Sequence, residues 1–361
     1  MSPGLPSPEE MAAVAERAGL DAVGYASAEP FTATRRHLEE RRRAGLSAGM
    51  QFTFRNPARS TDPARALPGA RSLVVGARSY RRRPAVAAGT RPAGRVARYS
   101  WTDHYAPLRE GLEELAGLLR DGGWRARVLA DDNALVDRAA AHRAGIGWFG
   151  KNTLLLLPGH GSWFVLGSVV TDAPLRPSSG PVPDGCGACT RCLTACPTGA
   201  LSPGVLDARR CLAWLLEAPG SFPVEMRSAL GGRVYGCDDC QEVCPVNRRA
   251  DRADPPPGAG PGEEPTVDLL WMLEAGDGEL LARLGRWYVP RRQPRYLRRN
   301  ALVALGNVGD GTDPHTGRVL AGRLADPDPM IREHAAWAAA RLGRSDLLGP
   351  SGAGAAGAAG A

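Results

Sequence analysis

The eight cysteines of this 361-residue chain form two short runs with one further cysteine between them. The runs are Cys186-x-x-Cys189-x-x-Cys192-x-x-x-Cys196-Pro197 and Cys237-x-x-Cys240-x-x-x-Cys244-Pro245, and Cys211 stands between them. Thiolates are the soft ligands that iron–sulfur clusters need. A step of three residues lets neighbouring thiolates converge on one cubane. The spacing therefore predicts a pair of iron–sulfur clusters.

The first run has the spacing of bacterial-type [4Fe–4S] ferredoxins, in which the fourth cysteine binds the other cluster of a pair. By that rule the first cluster is held by Cys186, Cys189, Cys192 and Cys244, and the second by Cys196, Cys211, Cys237 and Cys240. A disulfide scaffold is more typical of small secreted chains. Zinc also binds Cys-x-x-Cys pairs, but four cysteines in one tight run followed by proline are poor spacing for a tetrahedral site.

Size and sequence character limit the class of protein. At 38.1 kDa the chain has room for two or three domains. No apolar stretch approaches the roughly 20 residues that span a bilayer. Residues 1–10 contain neither a secretory signal pattern nor a twin arginine. Reduced thiolates then indicate a cytoplasmic protein, which we expect to be a monomer without a membrane partner.

The positive charge is concentrated in two segments. Residues 283–344 contain twelve arginines and five carboxylates, a net +7 that equals the formal charge of the whole chain. Residues 81–98 contain six arginines and no acid. A large polyanion is the natural partner of such surfaces. The alternative is a set of solvated helical faces in a chain with an arginine bias.

Lysine occurs once, at Lys151, and every other Lys or Arg position is arginine. A lysine in so biased a chain indicates a place where a compact, rotatable ammonium is needed and a planar guanidinium is unsuitable.

The elements that must position these residues follow from the sequence pattern. Ser7-Pro8-Glu9-Glu10 is typical of a helix start. Helices are predicted over 8–18, 32–44, 105–120 and 135–144, and strands over 22–26, 72–77, 125–130, 153–157 and 163–170. This alternation predicts an α/β sandwich domain over residues 1–180.

The remainder of the chain divides into four segments. Residues 181–250 form the ferredoxin-like double [4Fe–4S] module, with a helix over 207–216 that carries Cys211. Residues 251–265 are a Pro/Gly linker by composition. Residues 266–348 contain two similar segments, 297–306 and 330–343, which indicate an all-α pair of HEAT-like repeats. The Gly/Ala tail, 349–361, is expected to be disordered.

Several motifs carry a resemblance to a known family. They are Ala130-Asp-Asp-Asn-Ala-Leu-Val-Asp-Arg, Ala144-Gly-Ile-Gly-Trp-Phe-Gly-Lys-Asn-Thr153, Cys196-Pro-Thr-Gly-Ala-Leu201, Tyr235-Gly-Cys-Asp-Asp-Cys-Gln-Glu-Val-Cys-Pro245, Arg299-Asn-Ala-Leu302 and Ala335-Ala-Trp-Ala338. Together with the order of the domains, they resemble the epoxyqueuosine reductases, cobalamin-dependent enzymes of tRNA modification. The resemblance covers nearly the whole chain and implies a reductive-dehalogenase-like α/β fold for the N-terminal domain.

The resemblance implies a base-off cobalamin held by residues 1–180, with Asp131 as the proton donor. The residues that it places near the cobalamin are Arg98, Asp131, Lys151, Asn152, Leu155, Ser162 and Trp163. The Asp-x-His-x-x-Gly pattern that supplies an imidazole ligand in other cobalamin proteins is absent. Each assignment has a structural alternative: a helix N-cap for Asp131, a glycine turn that closes a helix for Lys151-Asn152, and a core position for Trp163.

The resemblance also implies the reaction, the reduction of epoxyqueuosine to queuosine at the wobble position of a tRNA with a GUN-type anticodon. Electrons would come from an unidentified low-potential donor through the two clusters. The residues expected to contact tRNA are Arg138, Arg291, Arg292, Arg295, Arg298, Arg299 and Asn300. Two rivals are a reductive dehalogenase, which typically carries a twin-arginine export signal, and a ferredoxin-type carrier, which has no use for a large α/β domain.

Overall fold

A computed structural model describes residues 4–83, 91–178 and 180–348. The described chain forms two compact units, and each is assembled from several segments. The first unit contains Met1–Arg81, Asp103–Arg209 and Asp239–Pro256, and the second contains Arg82–Thr102, Arg210–Asp238 and Pro257–Ala361. The predicted tail 349–361 lies outside the described residues.

Helices and short strands make up most of the described chain. The helices are α1 (Pro8–Arg17), α2 (Thr32–Arg43), α3 (Phe52–Arg55), α4 (Pro57–Ser60), α5 (Tyr105–Asp121), α6 (Asp137–Arg143), α7 (Arg191–Thr194), α8 (Leu212–Glu217), α9 (Val224–Leu230), α10 (Asp239–Glu242), α11 (Pro245–Ala253), α12 (Leu269–Glu274), α13 (Asp277–Leu284), α14 (Arg295–Val308), α15 (Pro314–Leu324) and α16 (Pro329–Arg341). The strands are β1 (Ala22–Ser27), β2 (Ser72–Ser79), β3 (Ala93–Val96), β4 (Ala126–Ala130), β5 (Trp148–Phe149), β6 (Leu155–Leu156), β7 (Phe164–Thr171), β8 (Leu201–Ser202), β9 (Val205–Leu206), β10 (Arg233–Tyr235) and β11 (Thr266–Asp268).

A four-stranded sheet in the order β1-β2-β7-β4 forms the centre of the first unit, and all its neighbours are antiparallel. Helix α6 and residues such as Leu73 and Val75 form a core on one face. Helix α5 packs on the strands β2, β4 and β7. A Cβ at Gly167 would lie 2.6 Å from Leu112 of α5, so this glycine allows the helix to approach the sheet closely. Helices covering the sheet make this the α/β sandwich that the sequence predicts.

The second unit combines a three-stranded sheet, in the order β10-β3-β11, with the helices α12 to α16. Its largest core contains Tyr235 and Trp287, whose rings stack with centroids 4.8 Å apart. Helix α14 packs against α12 and α16 and carries a run of buried aliphatic side chains between Leu297 and Leu305. No helix of the described residues is long and apolar enough to cross a membrane.

Most predicted elements are confirmed, and two are wrong in detail. Helix α1 begins with the predicted cap, because Ser7 Oγ accepts a hydrogen bond from the Glu10 amide (3.1 Å) and Glu10 accepts one from the Ser7 amide (2.7 Å). The strand predicted over 153–157 is only two residues long, at β6. The helix predicted over 207–216 begins later, at Leu212, so Cys211 is its N-cap and not part of its body.

The part of the predicted linker 251–265 that belongs to the second unit, from Pro257 onward, is held by specific contacts within that unit. The Arg83 amide donates to the Pro257 carbonyl (2.8 Å), and Arg82 pairs with Glu263 (2.8 Å), whose side chain is 6% exposed. The predicted module 181–250 is shared between the units, with 210–238 in the second unit and the rest in the first.

Candidate functional site

Asp131 lies at the end of β4 in an unusual backbone conformation. Its φ of 54° is in the left-handed region, which is uncommon for residues other than glycine. Helix α6 begins at Asp137 with Val136 as its N-cap, so Asp131 does not cap that helix. Among the described residues, no hydrogen-bond or ion-pair partner is found for the Asp131 carboxyl. A strained residue with an uncommitted carboxyl is typical of a functional position.

The surroundings of Asp131 favour its protonated form. Although the side chain is exposed, nearby protein atoms remove part of its hydration, and this raises the pKa of Asp131 above the ordinary carboxyl value. The charge of Arg109 opposes that shift, and the charges of Asp103 and Asp132 add to it. The carboxyl can therefore hold a proton at a higher pH than an ordinary aspartate.

Asp137 is a second carboxyl beside the first. Its Oδ1 is buried and has no hydrogen-bond partner among the described residues. Burial raises the pKa of Asp137 well above the ordinary value, and the charge of Asp131 raises it further. Burial also raises the pKa of Tyr105, and the charges of Asp131 and Asp137 raise it further. The three groups form one electrostatically coupled acid cluster.

A cleft of about 310 Å³ adjoins the loop that carries Asp131. It is lined by Phe52, Arg55, Asn56, Arg59, Ser60 and Asn133. Ser60 Oγ donates to the Asn133 carbonyl (2.6 Å), and the Asn56 side chain accepts from the Arg59 amide (3.1 Å), so the lining is internally held. Sequence reasoning missed these residues, because Asn56-Pro57 indicates only a helix start, which is in fact that of α4.

The four cysteines predicted to hold the first cluster lie together in the first unit. Burial raises the pKa of the Cys192 thiol, and Cys244, Cys186 and Cys189 raise it further, so all four are within electrostatic reach. None of the eight cysteines forms a disulfide. In the described ranges, no three His, Cys, Asp or Glu side chains could hold a single metal ion. A cubane differs, because each thiolate binds a different iron, and the donor set fits one.

The predicted ligands of the second cluster belong to both units. Cys196 follows α7, and its Sγ accepts a hydrogen bond from the Ala200 amide at 3.3 Å. Cys240 lies on α10, also in the first unit. Cys211 and Cys237 belong to the second unit, the former as the N-cap of α8.

Four of the residues expected near the cobalamin are buried side chains of the first unit. Asn152, Leu155, Ser162 and Trp163 are between 1% and 5% exposed. The Asn152 side chain accepts from the Leu154 amide at 3.3 Å. Ser162 Oγ donates to the Gln241 carboxamide oxygen at 3.0 Å, and its amide donates to Asn247 (2.7 Å). Trp163 packs edge-on against Tyr80.

Lys151 and Arg98 have contacts that the sequence did not suggest. Lys151 Nζ donates to the backbone carbonyls of Gly187 (2.6 Å) and Cys189 (3.0 Å), which belong to the first cysteine run. Arg98 is in the second unit and only 3% exposed, and its amide donates to the Asp238 carboxylate at 2.9 Å.

The residues expected to contact tRNA, which are six arginines and Asn300, fall into three groups. Arg291 and Arg292 are exposed, and within the described part of the chain neither forms an ion pair; Arg138 is exposed too and donates to the Thr153 carbonyl at 3.2 Å. Arg295 pairs with Asp328 (3.0 Å) and Arg298 with Asp277 (2.6 Å).

Arg299 and Asn300 form the third group, and both are 0% exposed. Arg299 donates to the carbonyls of Leu215, Leu216, Ala218 and Gly220, and Asn300 donates to those of Leu216 and Val234. Their side chains hold α8 and its following loop and present nothing to a phosphate. We therefore leave both residues out of the proposed tRNA surface.

Three of the six arginines in the stretch 81–98 form ion pairs with acids of the chain. Arg82 pairs with Glu263 and Arg91 with Asp268 (2.9 Å), both within the second unit, while Arg81 pairs with Asp254 in the first. The partner acids lie within residues 251–268, so far along the chain that the sequence alone does not indicate these pairs. At least half of these arginines are therefore paired within the protein.

Comparisons with known proteins give a family model that matches the cysteine region and relatives that match nearly the whole chain. The sequence model of the family described as "4Fe-4S double cluster binding domain" matches residues 185–247. An epoxyqueuosine reductase of Bacillus cereus is 34% identical over 344 residues, which cover 93% of this chain and 89% of that protein. One of Xanthomonas campestris is 35% identical over 351 residues, covering 94% and 98%.

The fold is likewise that of a solved relative. The crystal structure of an epoxyqueuosine reductase with a tRNA-Tyr epoxyqueuosine-modified stem loop superposes with a TM-score of 0.85 at 32% identity, covering 96% of this chain and 92% of the other. The chain belongs to the epoxyqueuosine reductase family.

Proposed function

We propose that this protein reduces epoxyqueuosine to queuosine at the wobble position of a tRNA with a GUN-type anticodon. The observation that carries the proposal is its likeness, over nearly the whole chain, to a reductase solved with an epoxyqueuosine-modified stem loop. Since the substrate is a tRNA, we place the reaction in the cytoplasm.

The reaction removes the epoxide oxygen as water and leaves an alkene, which takes two electrons and two protons. The clusters would supply electrons singly from a low-potential donor, and a bound cobalamin would supply the nucleophilic two-electron centre. The chain itself must bind and orient the base, exclude water and deliver a proton.

The lining of the cleft beside Asp131 offers polar groups that suit the edge of a corrin ring. The corrin ring is fringed by amide side chains, which both donate and accept hydrogen bonds. Arg55 and Arg59 offer donors, and Asn56 and Asn133 offer both kinds of group, while Ser60 orders the lining through its bond to the Asn133 carbonyl. We propose these residues as cobalamin contacts, together with Asn152, Leu155, Ser162 and Trp163, which lie in the same unit. Arg98 remains a proposed contact on the family resemblance alone.

We assign proton donation to the carboxyl of Asp131. A general acid must be protonated before the reaction and near its reacting atom during it. The raised pKa of Asp131 supports the first requirement. Since its carboxyl has no competing hydrogen bond among the described residues, it is free to meet a substrate in the adjoining cleft. The charges of Asp103 and Asp132 help to keep the proton on Asp131. The charge of Asp131 in turn raises the pKa of the buried Asp137.

We propose that the second unit binds the tRNA through Arg291 and Arg292, with Arg295 and Arg298 as further candidates; Arg138 is a separate candidate in the first unit. Arg291 and Arg292 have exposed charges that can meet phosphate. We interpret α14, α15 and α16 as a short HEAT-like stack, because each buries one face against a neighbouring helix. Unpaired anticodon loops let a base be turned outward and read, which the proposed reaction requires.

The test is anaerobic turnover of the full chain with cobalamin, a low-potential reductant and tRNA that contains epoxyqueuosine. The modified nucleoside is then read by mass. Loss of one oxygen that depends on both cobalamin and reductant is the expected result. No conversion by protein with loaded clusters and bound cobalamin would refute the proposal.

A further inference from the structure

Lys151 is the one lysine of the chain, and its ammonium does not reach into the Asp131 cleft. Nζ lies 2.6 Å from the Gly187 carbonyl oxygen and 3.0 Å from that of Cys189. Both carbonyls belong to the tight loop Cys186-Gly-Ala-Cys189, which the Cys189 amide closes by donating to the Cys186 carbonyl (3.0 Å). The lysine side chain thus forms two hydrogen bonds with the loop that carries two predicted ligands of the first cluster.

The turn that carries Lys151 is itself attached to the cysteine module. The Lys151 carbonyl accepts a hydrogen bond from the Gly204 amide (3.0 Å), at the turn between β8 and β9. Trp148 of β5 lies so close to Gly185 that a Cβ there would be 2.7 Å from the indole ring. Lys151 is therefore held in place from both sides, and its contacts with the loop are part of the fold.

The contact geometry explains why this position is lysine. Two carbonyl oxygens converge on a single nitrogen, and an ammonium has three rotatable donors for such an arrangement. A guanidinium spreads its donors over a rigid planar fork and would match this pair less well. Elsewhere the chain uses arginine for every such cation. The exception coincides with the place where a point-like cation fits.

The charge of Lys151 has no carboxylate counterpart in the described part of the chain. No acid within those ranges lies at ion-pair distance of its ammonium. A cubane with four thiolate ligands is net negative, and it becomes more negative when it accepts an electron. Net charge and nearby hydrogen bonds are among the factors that set the reduction potential of such clusters. An uncompensated cation beside the ligand loop stabilises the reduced state.

We propose that Lys151 is a positioning residue of the first [4Fe–4S] site, where its ammonium orders the Cys186–Cys189 loop and raises the reduction potential of the cluster. The inference rests on the two-cluster assignment of the proposed function but not on cobalamin or tRNA. It gives Lys151 a task in electron delivery in place of the corrin contact that the sequence suggested.

The experiment is a redox titration of the anaerobically reconstituted full chain, followed by electron paramagnetic resonance without tRNA. It uses protein whose iron content and cluster spectra have been verified, so a failure of the two-cluster assignment is seen separately. The variants are Lys151→Gln, Lys151→Arg, and Arg191→Gln as the matched control. Arg191 lies within the first run, between Cys189 and Cys192, but it is exposed, so solvent screens its charge.

In Lys151→Gln we expect the potential of one cluster to fall, with about a tenfold lower ratio of reduced to oxidised cluster at a fixed potential. That change corresponds to about 59 mV for a one-electron couple. Lys151→Arg should retain most of the wild-type potential, and Arg191→Gln should shift it by less than half as much as Lys151→Gln. Cobalamin affinity, measured by optical titration, should be the same in all four proteins.

Unchanged potentials in Lys151→Gln would overturn the proposal, as would equal shifts in Lys151→Gln and Arg191→Gln. Weaker cobalamin binding with unchanged potentials would restore the corrin contact. If Lys151→Gln lost one cluster while Lys151→Arg kept both, the loop-ordering role would be supported directly, because arginine keeps the positive charge and glutamine does not.

Discussion

Asp131 and Asp132 are neighbours in the chain, but only Asp132 is tied to the backbone. Asp132 Oδ1 accepts a hydrogen bond from the Ala134 amide at 2.8 Å and forms a local turn. The Asp131 carboxyl has no such partner among the described residues, and its φ is 54°. One carboxylate shapes the loop, and the other is left available for chemistry.

Asp131→Asn should therefore abolish most of the deoxygenation. We expect a loss of roughly a hundredfold to ten-thousandfold in kcat, the usual contribution of a general acid. Iron content and cobalamin binding should be unchanged. Asp132→Asn is the matched control, because an asparagine oxygen can still accept from the Ala134 amide. Similar losses in both variants would mean that the loop conformation, and not the Asp131 proton, matters.

Asp137→Asn should make the stability less dependent on pH. A carboxyl whose pKa is raised by folding stabilises the protein fully below its unfolded-state pKa, and this contribution is lost as the pH rises through the folded-state pKa. The variant imitates the protonated form, so its unfolding midpoint should exceed that of wild type by an amount that grows as the pH rises above the ordinary carboxyl pKa of about 4.

Asp172→Asn is the control of opposite sign. Despite a cost of burial, hydrogen bonds from Arg125 hold the pKa of Asp172 below its ordinary value. Its contribution is present above the ordinary carboxyl pKa and is lost on acidification, so this variant should be less stable than wild type at neutral pH. Parallel pH profiles for the two variants would contradict the assignment of Asp137.

Paired cysteine substitutions test which thiolates share a cluster. If Cys186 and Cys244 bind the same cubane, Cys186→Ser combined with Cys244→Ser should remove one cluster's worth of iron and leave the other cluster's signal intact. Cys186→Ser combined with Cys240→Ser should remove both. The measurement is iron per chain with electron paramagnetic resonance. If the Cys186 and Cys240 pair removed only one cluster and the Cys186 and Cys244 pair removed both, Cys240 and Cys244 would have to be exchanged between the clusters.

Arg291→Gln with Arg292→Gln should weaken tRNA binding and flatten its dependence on salt. For single-stranded RNA, the slope of log K against log salt concentration becomes shallower by about 0.7 for each phosphate that the protein no longer neutralises. Both arginines are exposed and make no ion pair in the described ranges. Filter binding of an anticodon stem loop over a salt series measures the slope. An unchanged slope would remove these residues from the interface.

Arg299→Gln should lower stability instead of altering the salt slope. Burial lowers the pKa of Arg299 to about 10. The residue supplies donors to four backbone carbonyls. Each carbonyl left without a partner costs roughly 1–3 kcal/mol, so we expect a free energy of unfolding lower by at least about 3 kcal/mol. Arg295→Gln, on the same helix with a part-exposed ion pair to Asp328, should cost under about 1 kcal/mol.

The cysteine ligands and most elements could be predicted from sequence because their signals are local. Ligand spacing and the Ser7 capping box each involve residues a few positions apart. The fate of an arginine is not local: Arg291 and Arg299 share one basic segment, yet one is exposed and the other fully buried. Arg299 is buried because α8 packs against α14, and no pattern within the basic segment itself indicates that contact.

The Asp131 loop shows the same limit. The sequence Asp-Asp-Asn favours a helix cap, but α6 begins at Asp137 and the first aspartate takes a left-handed conformation. Family resemblance selected the functional interpretation where local propensity favoured the structural one. The acceptors of the Lys151 ammonium, more than thirty residues away in the chain, were equally beyond local reasoning.

The interleaved order of the two units has a consequence for synthesis on the ribosome. The first unit is completed only by Asp239–Pro256, and the second already begins at Arg82. Ser162 must therefore wait for Gln241 and Asn247 to leave the exit tunnel before its buried hydrogen bonds can form. A nascent chain stopped at residue 180 would lack these partners and could not bury Ser162 with its hydrogen bonds made. The protein is thus a poor candidate for piecewise expression, and chaperones and iron–sulfur assembly factors would meet it as a nearly full-length chain.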